Sequence, residues 1–151
     1  MSKHTPPPGA KSIDEILEEA RSHLDRVTAS QLLAELQQGS KQPVHLVDIR
    51  PVAQRAREGS LTFPSDISAE HKIHIIERNV LEWRLDPQSE SRIKEVVDTF
   101  GYDTRVVVFC SEGYTSSLAA SELKRLGLGN ATDLDGGYWG WKRLLDSKEQ
   151  N

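Results

Sequence analysis

The only cysteine of the chain, Cys110, lies between an apolar run and a polar segment that contains glycine. The apolar run, Arg105 to Phe109, is the most strand-like stretch of the sequence. The polar segment leads into a helix, so backbone N–H groups without helical partners are expected near the sulfur, where they favour an anion. The helix dipole acts in the same direction and favours the thiolate, the nucleophilic form of cysteine. Cys110 is therefore a candidate nucleophile, and an inert side chain at a strand end is the open alternative.

The residues that follow Cys110 carry groups suited to binding an anion. Gly113 can adopt the positive φ that curls a loop into an anion-binding nest. Serine and threonine hydroxyl groups can donate further hydrogen bonds. The candidate substrate-binding residues are Ser111, Glu112, Gly113, Tyr114, Thr115 and Ser116.

Charged residues near a second strand end form the next candidate group. Asp48 and Arg50 close the apolar run that starts at Val44, and ligands of open parallel sheets bind beyond the carboxyl ends of the strands. The pair could support the cysteine loop, or it could be a structural salt bridge without a part in turnover, and the second role is the commoner one. Arg84 and Arg78 could add positive charge at the site, although ordinary exposed arginines show the same pattern.

The hydrophobic pattern predicts the elements that must bring these groups together. Capping boxes at Ser12 and Thr28 start two helices that precede the first strand. Strands then alternate with helices, and Asp86-Pro87 is typical of a helix start before the apolar stripe that ends at Phe100. The alternation predicts an α/β fold with a mostly parallel sheet that helices cover on both faces.

The sequence predicts one folded domain with polar ends, because 151 residues leave room for one core. Residues 1–11 include three consecutive prolines and are expected to form a disordered tail. We expect an N-terminal helix in residues 12–26, the main domain in residues 27–145 and a C-terminal tail in residues 146–151. The polar stretch 62–72 shows no hydrophobic period, so its path and role stay open.

Composition argues against several classes of function. The 19 Lys and Arg residues and 23 Asp and Glu residues give a net charge of -4, without the basic stripe of a nucleic-acid-binding protein. The sequence has no apolar run of membrane-spanning length, and its first residues lack the apolar stretch of a secretory signal. A single cysteine fits a reducing compartment, so we expect a cytoplasmic location. His71 and His74 have no further ligand at suitable spacing, so no metal site is expected.

Four segments of the chain occur in an order that is specific as a set, although each is weak alone. They are the loop Cys110-Ser111-Glu112-Gly113-Tyr114-Thr115, the run Leu46-Val47-Asp48-Ile49-Arg50, the pair Glu58-Gly59 and the closing stretch Asp133 to Trp141. Together they resemble the segments of rhodanese-like sulfurtransferases, over roughly residues 27–145. The resemblance implies a rhodanese-like fold, with a five-stranded, mostly parallel sheet flanked by helices, and it implies that Cys110 is the catalytic residue.

The resemblance also implies a reaction. The Cys110 thiolate would take a sulfane sulfur from a small-molecule donor and pass it, as a persulfide, to a thiol or cyanide acceptor. This chemistry requires neither a metal nor an organic cofactor, and a protein persulfide is a further candidate partner. An external acceptor is expected because the chain has no second thiol that could discharge the persulfide as a disulfide. The alternative is a rhodanese-like module that carries a persulfide, senses redox state or binds a partner without turnover.

Two departures from related sequences bear on the substrate. Ser111 and Glu112 stand where members that favour thiosulfate often carry basic residues, and a carboxylate within about 4 to 6 Å of a dianionic donor weakens its binding. This favours a donor less anionic than thiosulfate, unless Glu112 points outward into solvent. The related phosphatases need a cysteine, five residues and an arginine that holds phosphate. Ser116 occupies the arginine position, which argues against phosphatase activity.

Overall fold

A computed structural model describes residues 4–39 and 42–149. Its centre is one sheet of four parallel strands. The strands are β1 (Val44–Asp48), β2 (Lys72–Ile75), β3 (Arg105–Phe109) and β4 (Ala131–Asp133). They lie in the order β2-β1-β3-β4, so the strand before Cys110 is an inner strand. The predicted α/β fold with a parallel sheet is confirmed.

Helices cover both faces of this sheet. The α-helices of the described residues are α1 (Ile13–Arg21), α2 (Ala29–Gln38), α3 (Val52–Glu58), α4 (Leu81–Leu85), α5 (Lys94–Val97), α6 (Thr115–Arg125) and α7 (Gly137–Glu149). Successive side chains of β1 and β3 point to opposite faces, and both faces are buried. Val47 and Val108 belong to the core beneath α4, α5 and α6, whereas Leu46 and Val107 belong to the core beneath α2 and α7.

The number of strands differs from the expected five. Where a fifth strand would lie, Val27 forms an isolated parallel bridge with Leu134. The Val27 N–H donates to the Asp133 carbonyl over 3.2 Å, and the Val27 carbonyl accepts from the Asp135 N–H over 2.7 Å. The next residue, Thr28, is already the N-cap of α2. The five-stranded prediction is therefore wrong for the described residues, because the helix begins before a fifth strand can extend.

The predicted helix start at Asp86-Pro87 is also wrong. Asp86 closes α4, and its carboxylate accepts a hydrogen bond from the Gln88 N–H over 2.9 Å, as in an Asx turn. The following α-helix, α5, begins only at Lys94. The local preference of Asp-Pro for a helix start gives way here to an equally local turn.

The two predicted N-terminal capping boxes are confirmed, at Ser12 for α1 and at Thr28 for α2. Helix α1 packs against α6, the helix that follows the cysteine loop. Residues 1–3 and 150–151 of the predicted tails lie outside the described residues. Helix α7 continues to Glu149 and so includes residues that were expected to form a C-terminal tail. Within the described ranges, no helix combines the length and the apolar character that crossing a membrane requires.

Two histidines form a partly buried contact between β1 and β2. His45 Nδ1 and His74 Nε2 are 2.8 Å apart, so one ring donates a hydrogen bond to the other. Burial and the nearby charges of His74 and His71 lower the pKa of His45 from 6.5 to about 4. Burial, together with the charge of Lys72, also lowers the pKa of His74, against an opposing effect of Glu95. The folded protein therefore keeps this pair neutral at pH values where the unfolded chain protonates it.

This pair predicts a specific loss of stability in mild acid. Because His45 binds more protons in the unfolded chain than in the folded one below pH 6.5, its contribution to the free energy of unfolding falls as the pH drops from about 6.5 towards about 4. The free energy of unfolding, measured with urea, is expected to be higher at pH 7 than at pH 4.5. We expect His45→Gln to reduce this difference by roughly 2 kcal/mol. The exposed His23 is the control, and His23→Gln should retain the full difference. Equal pH dependence in wild type and His45→Gln would contradict this account.

Candidate functional site

Cys110 follows β3 directly, at the carboxyl edge of the sheet. The residue is only 6% exposed, but it lines a cavity of about 460 Å³. Its sulfur accepts a hydrogen bond from the Gly113 N–H over 3.3 Å. The other residues that line the cavity are Ile49, Arg50, Pro51, Gln54, Glu77, Arg78, Asn79 and Thr115. The sulfur is thus shielded from bulk solvent, bound by a main-chain amide and placed at the wall of a cavity, which is a setting that can stabilise an anionic sulfur.

Gly113 has the backbone conformation that this contact needs. Its φ is +91°, a value that side-chain-bearing residues rarely adopt. A Cβ on Gly113 would lie 3.0 Å from the Gly136 nitrogen and 3.2 Å from the Leu134 carbonyl oxygen. The loop therefore requires glycine at this position for two reasons, the backbone angle and the close approach of the chain after β4.

The other predicted loop residues have different surroundings. Thr115 lines the cavity with Cys110, whereas Glu112 and Tyr114 are exposed. The Ser111 hydroxyl donates to Glu58 Oε1 over 2.5 Å. Ser116 is fully buried, and its hydroxyl is used on a carboxylate beneath the loop. The structure thus places Gly113 and Thr115 beside Cys110 and gives the Ser111 and Ser116 hydroxyls other partners.

Asp48 and Arg50 reach the cysteine loop through a third residue. Arg50 Nε and Nη2 donate to the two carboxylate oxygens of Asp48 over 3.0 and 2.8 Å. Arg50 Nη1 donates to Glu58 over 3.1 Å, and the same Glu58 oxygen accepts from Ser111. The guanidinium carbon of Arg50 lies 4.4 Å from the centre of the Tyr138 ring, which holds its plane in place. The pair can therefore position the loop at Ser111.

The hydrogen bonds around Glu58 keep this carboxylate charged. Partial desolvation alone would raise the pKa of Glu58, but hydrogen bonds from Ser111 and Arg50, with smaller effects of Gln54 and Trp139, lower it. Gln54 Nε2 also donates to the Ser111 hydroxyl oxygen over 2.6 Å. Ser111 is therefore held by a charged acceptor on one side and an amide donor on the other.

The two candidate arginines of the central segment differ in position. Arg78 lines the cavity, and its guanidinium pairs with Glu82 over 2.6 Å. Arg84 lies outside the cavity lining and donates to the Ser91 carbonyl over 2.6 Å. A larger groove of about 850 Å³ runs between α1, α4 and α6, and it shares Arg78 with the cavity but lacks Cys110. We therefore take the smaller cavity as the candidate site, with Arg78 at its boundary.

Sequence reasoning missed three residues beneath the loop. Arg21 and Arg26 each donate to the Gly113 carbonyl, over 2.9 and 3.0 Å. Asp133 is fully buried and accepts from Arg26 and from the Ser116 and Ser117 hydroxyls. Asp133 could have been found, because it ends β4 in the way that Asp48 ends β1. No comparable signal marks the two arginines. Among the described residues, no group of three or more His, Cys, Asp or Glu side chains could hold a metal ion.

A comparison with protein families gives one match. The family model described as Rhodanese-like domain matches residues 28–144. No curated protein matches the sequence.

Solved structures of similar fold include a protein of unknown function from Rhodopseudomonas palustris, described as a possible tyrosine phosphatase. It shares 26% identity and a TM-score of 0.71, over 93% of this chain and 96% of that chain. A rhodanese-like domain protein from Staphylococcus aureus shares 19% identity and a TM-score of 0.54, over 78% and 91% of the two chains. A single domain sulfurtransferase from Saccharomyces cerevisiae shares 16% identity and a TM-score of 0.52, over 80% and 90%. The last two likenesses concern the fold alone.

The geometry at Gly113 predicts a sharp effect of one added methyl group. Gly113→Ala should destabilise the protein by about 1–3 kcal/mol, because of its positive φ and the short contacts of its Cβ. It should also slow alkylation of Cys110 by iodoacetamide, since the amide that faces the sulfur moves. Gly129→Ala is the matched control, because nothing lies within 4 Å of a Cβ there. A Gly113→Ala protein with the melting temperature and alkylation rate of wild type would show that this loop tolerates a side chain.

Proposed function

The chain belongs to the rhodanese-like domain family, and from this premise we propose that it is a sulfurtransferase that uses Cys110 as its nucleophile. It moves a sulfane sulfur from a donor to a thiophilic acceptor through a persulfide on Cys110. The observation that supports this proposal best is the Cys110 sulfur at the wall of a cavity of about 460 Å³, with the Gly113 N–H donating to it over 3.3 Å.

The reaction consists of two displacements at sulfur. In the first, the Cys110 thiolate attacks the sulfane sulfur of the donor, a new S–S bond forms, and the bond to the rest of the donor breaks. The donor remnant leaves with the electron pair, as sulfite from thiosulfate or as a thiolate from a persulfide. In the second, the acceptor attacks the outer sulfur, the S–S bond breaks, and the Cys110 thiolate is restored. Gly113 N–H stabilises negative charge on the cysteine sulfur before and after the cycle.

The surroundings of the cavity favour an organic donor over thiosulfate. A volume of about 460 Å³ is in the range of sites for organic ligands. Arg50, which lines it, already faces two carboxylates, and Arg78 pairs with Glu82. Glu77 adds a further carboxylate to the lining. A dianion would find no cation without a partner among these residues, so we propose a persulfide of a small thiol or of a protein as the donor.

A rhodanese-like persulfide carrier, redox sensor or partner-binding module is the second candidate. A carrier or redox sensor would form the persulfide on the same cysteine, beside the same amide, and would hold it without rapid turnover. A partner-binding module would not need the persulfide. The shielding of Cys110, which is 6% exposed, favours slow turnover, because donor and acceptor must both reach the sulfur through the cavity.

Phosphatase chemistry is not supported by the residues of the loop. The Rhodopseudomonas palustris protein is described as a possible tyrosine phosphatase. In this chain the position of the phosphate-binding arginine is Ser116, which is fully buried and donates to Asp133 over 2.8 Å. Without a guanidinium at this place the loop lacks the bidentate phosphate ligand that such enzymes use.

The role of Cys110 can be tested by turnover and by mass. We expect wild type to form thiocyanate from cyanide in the presence of a sulfane sulfur donor, and Cys110→Ser to form none, because serine cannot carry the persulfide. Intact mass after donor exposure should show the gain of one sulfur atom in wild type only. Thr104→Ser, a change far from the loop at the other end of β3, is the control and should keep both signals. A mass gain without thiocyanate would favour the carrier or redox sensor, and neither signal with any donor would refute all of these in favour of the partner-binding module.

Arg78 and Arg84 should have different effects on the binding of the sulfur donor. Arg78→Ala should raise the donor KM about threefold to tenfold with little change in kcat, because Arg78 is at the cavity wall and its charge is partly screened by Glu82. Arg84→Ala should leave KM unchanged and serves as the matched control, since its guanidinium binds the Ser91 carbonyl. Steady-state kinetics with a small-thiol persulfide as donor measures both. An unchanged KM in Arg78→Ala would remove Arg78 from the proposed site.

A further inference from the structure

The segment that precedes the family domain makes direct contact with the cysteine loop. The family match begins at residue 28, whereas Arg21 is the last residue of α1 and Arg26 lies in the connection to α2. Arg21 Nη2 and Arg26 Nη2 donate to the same acceptor, the Gly113 carbonyl oxygen, over 2.9 and 3.0 Å. We refer to Arg21 and Arg26 as the arginine pair.

The residue that the arginine pair holds is the one whose amide faces the sulfur. Gly113 donates its N–H to Cys110 and accepts both guanidinium groups at its C=O, so the two ends of one residue are fixed from opposite sides. A glycine has no side chain to limit its rotation, and these contacts replace that restraint. The Arg26 Nη2 atom lies 3.1 Å from the position of a Cβ on Gly113, which shows how closely the pair packs on the loop.

The arginine pair is itself anchored in the interior. Arg26 Nε and Nη2 donate to the two oxygens of Asp133, over 2.9 and 3.2 Å, and Asp133 is fully buried. Arg21 Nε donates to the Ser117 hydroxyl oxygen over 2.9 Å, and Ser117 in turn donates to Asp133 over 2.9 Å. Burial alone would lower the pKa of Arg26, but the hydrogen bond and charge of Asp133, with smaller effects of Asp135 and Cys110, raise it. Arg26 is therefore charged, and hydrogen bonds hold both guanidinium groups in place.

We propose that Arg21 and Arg26 are positioning residues of the active site, and that residues 12–26 are part of the catalytic unit although they lie outside the family domain. The pair holds Gly113 so that its N–H stays directed at the sulfur of the Cys110 thiolate. This inference rests on the proposed function for its role in turnover, but its effect on the thiolate does not depend on a sulfur donor.

The test measures Cys110 directly, through the pH dependence of its alkylation by iodoacetamide. Arg21→Ala and Arg26→Ala should each lower the alkylation rate at pH 7 about threefold to tenfold and move the pH of half-maximal rate upward, because a hydrogen bond to the charged sulfur is weakened. Arg21→Lys, which keeps the charge and one donor, should recover part of the rate. In the sulfur-transfer assay the same variants should lower kcat more than they raise the donor KM.

A matched control separates positioning from stability. Arg105 makes a comparable bidentate ion pair with Glu35, over 2.9 and 2.8 Å, at the amino-terminal end of β3. Arg105→Ala should lower the melting temperature and leave the alkylation profile of Cys110 unchanged. If Arg26→Ala does not fold because Asp133 loses its cation, Arg21→Ala decides, since Ser117 keeps its bond to Asp133 without Arg21.

The possible results are distinct. A folded Arg21→Ala protein with the alkylation profile of wild type overturns the inference, as does an equal change of profile in Arg105→Ala. A wild type that shows no sulfur transfer with any donor overturns the proposed function, while the alkylation experiment still decides whether the arginine pair positions Gly113. A changed profile in the Arg21 and Arg26 variants alone supports the inference.

Discussion

Two buried carboxylates at the carboxyl edge of the sheet determine how the site is built. Asp48 ends β1 and Asp133 ends β4, and the strand order places them on the two strands that flank β3. Each is balanced by two hydrogen bonds from an arginine, Arg50 or Arg26. Removing one partner from a buried pair of this kind costs roughly 3–5 kcal/mol. The charge balance of the interior therefore fixes both guanidinium groups.

The same two arginines also donate hydrogen bonds towards the cysteine loop. Arg50 reaches the loop through Glu58, which accepts from Ser111, and Arg26 reaches it at the Gly113 carbonyl. The loop is thus held at two points, by arginines that are paired with carboxylates at the ends of β1 and β4. Both contacts depend on buried ion pairs, so the geometry around the sulfur is tied to the charges beneath the loop.

Most features that depend on neighbouring residues were predictable from the sequence, whereas the helix start at Asp86-Pro87 was wrong because a local Asx turn forms there instead. The capping boxes and the strand before Cys110 follow from local turn chemistry and periodicity, and all are present. The prediction of a fifth strand was wrong because Val27 is followed directly by the N-cap of α2. Arg26 was missed because its partner Asp133 lies 107 positions away and no local pattern marks such a contact. The buried orientation of Ser116 depends on the same distant carboxylate.

The distance along the chain between these partners bears on when the cysteine loop acquires its contacts. Arg26 lies 87 positions from Gly113 and 107 from Asp133, so their contacts close very long loops. Such contacts carry a large cost in loop-closure entropy, which must be overcome before they form. During synthesis Cys110 leaves the ribosome before Asp133 does. A growing chain therefore presents Cys110 without the Asp133 contacts that hold its loop, and these contacts close only after β4 has been synthesised.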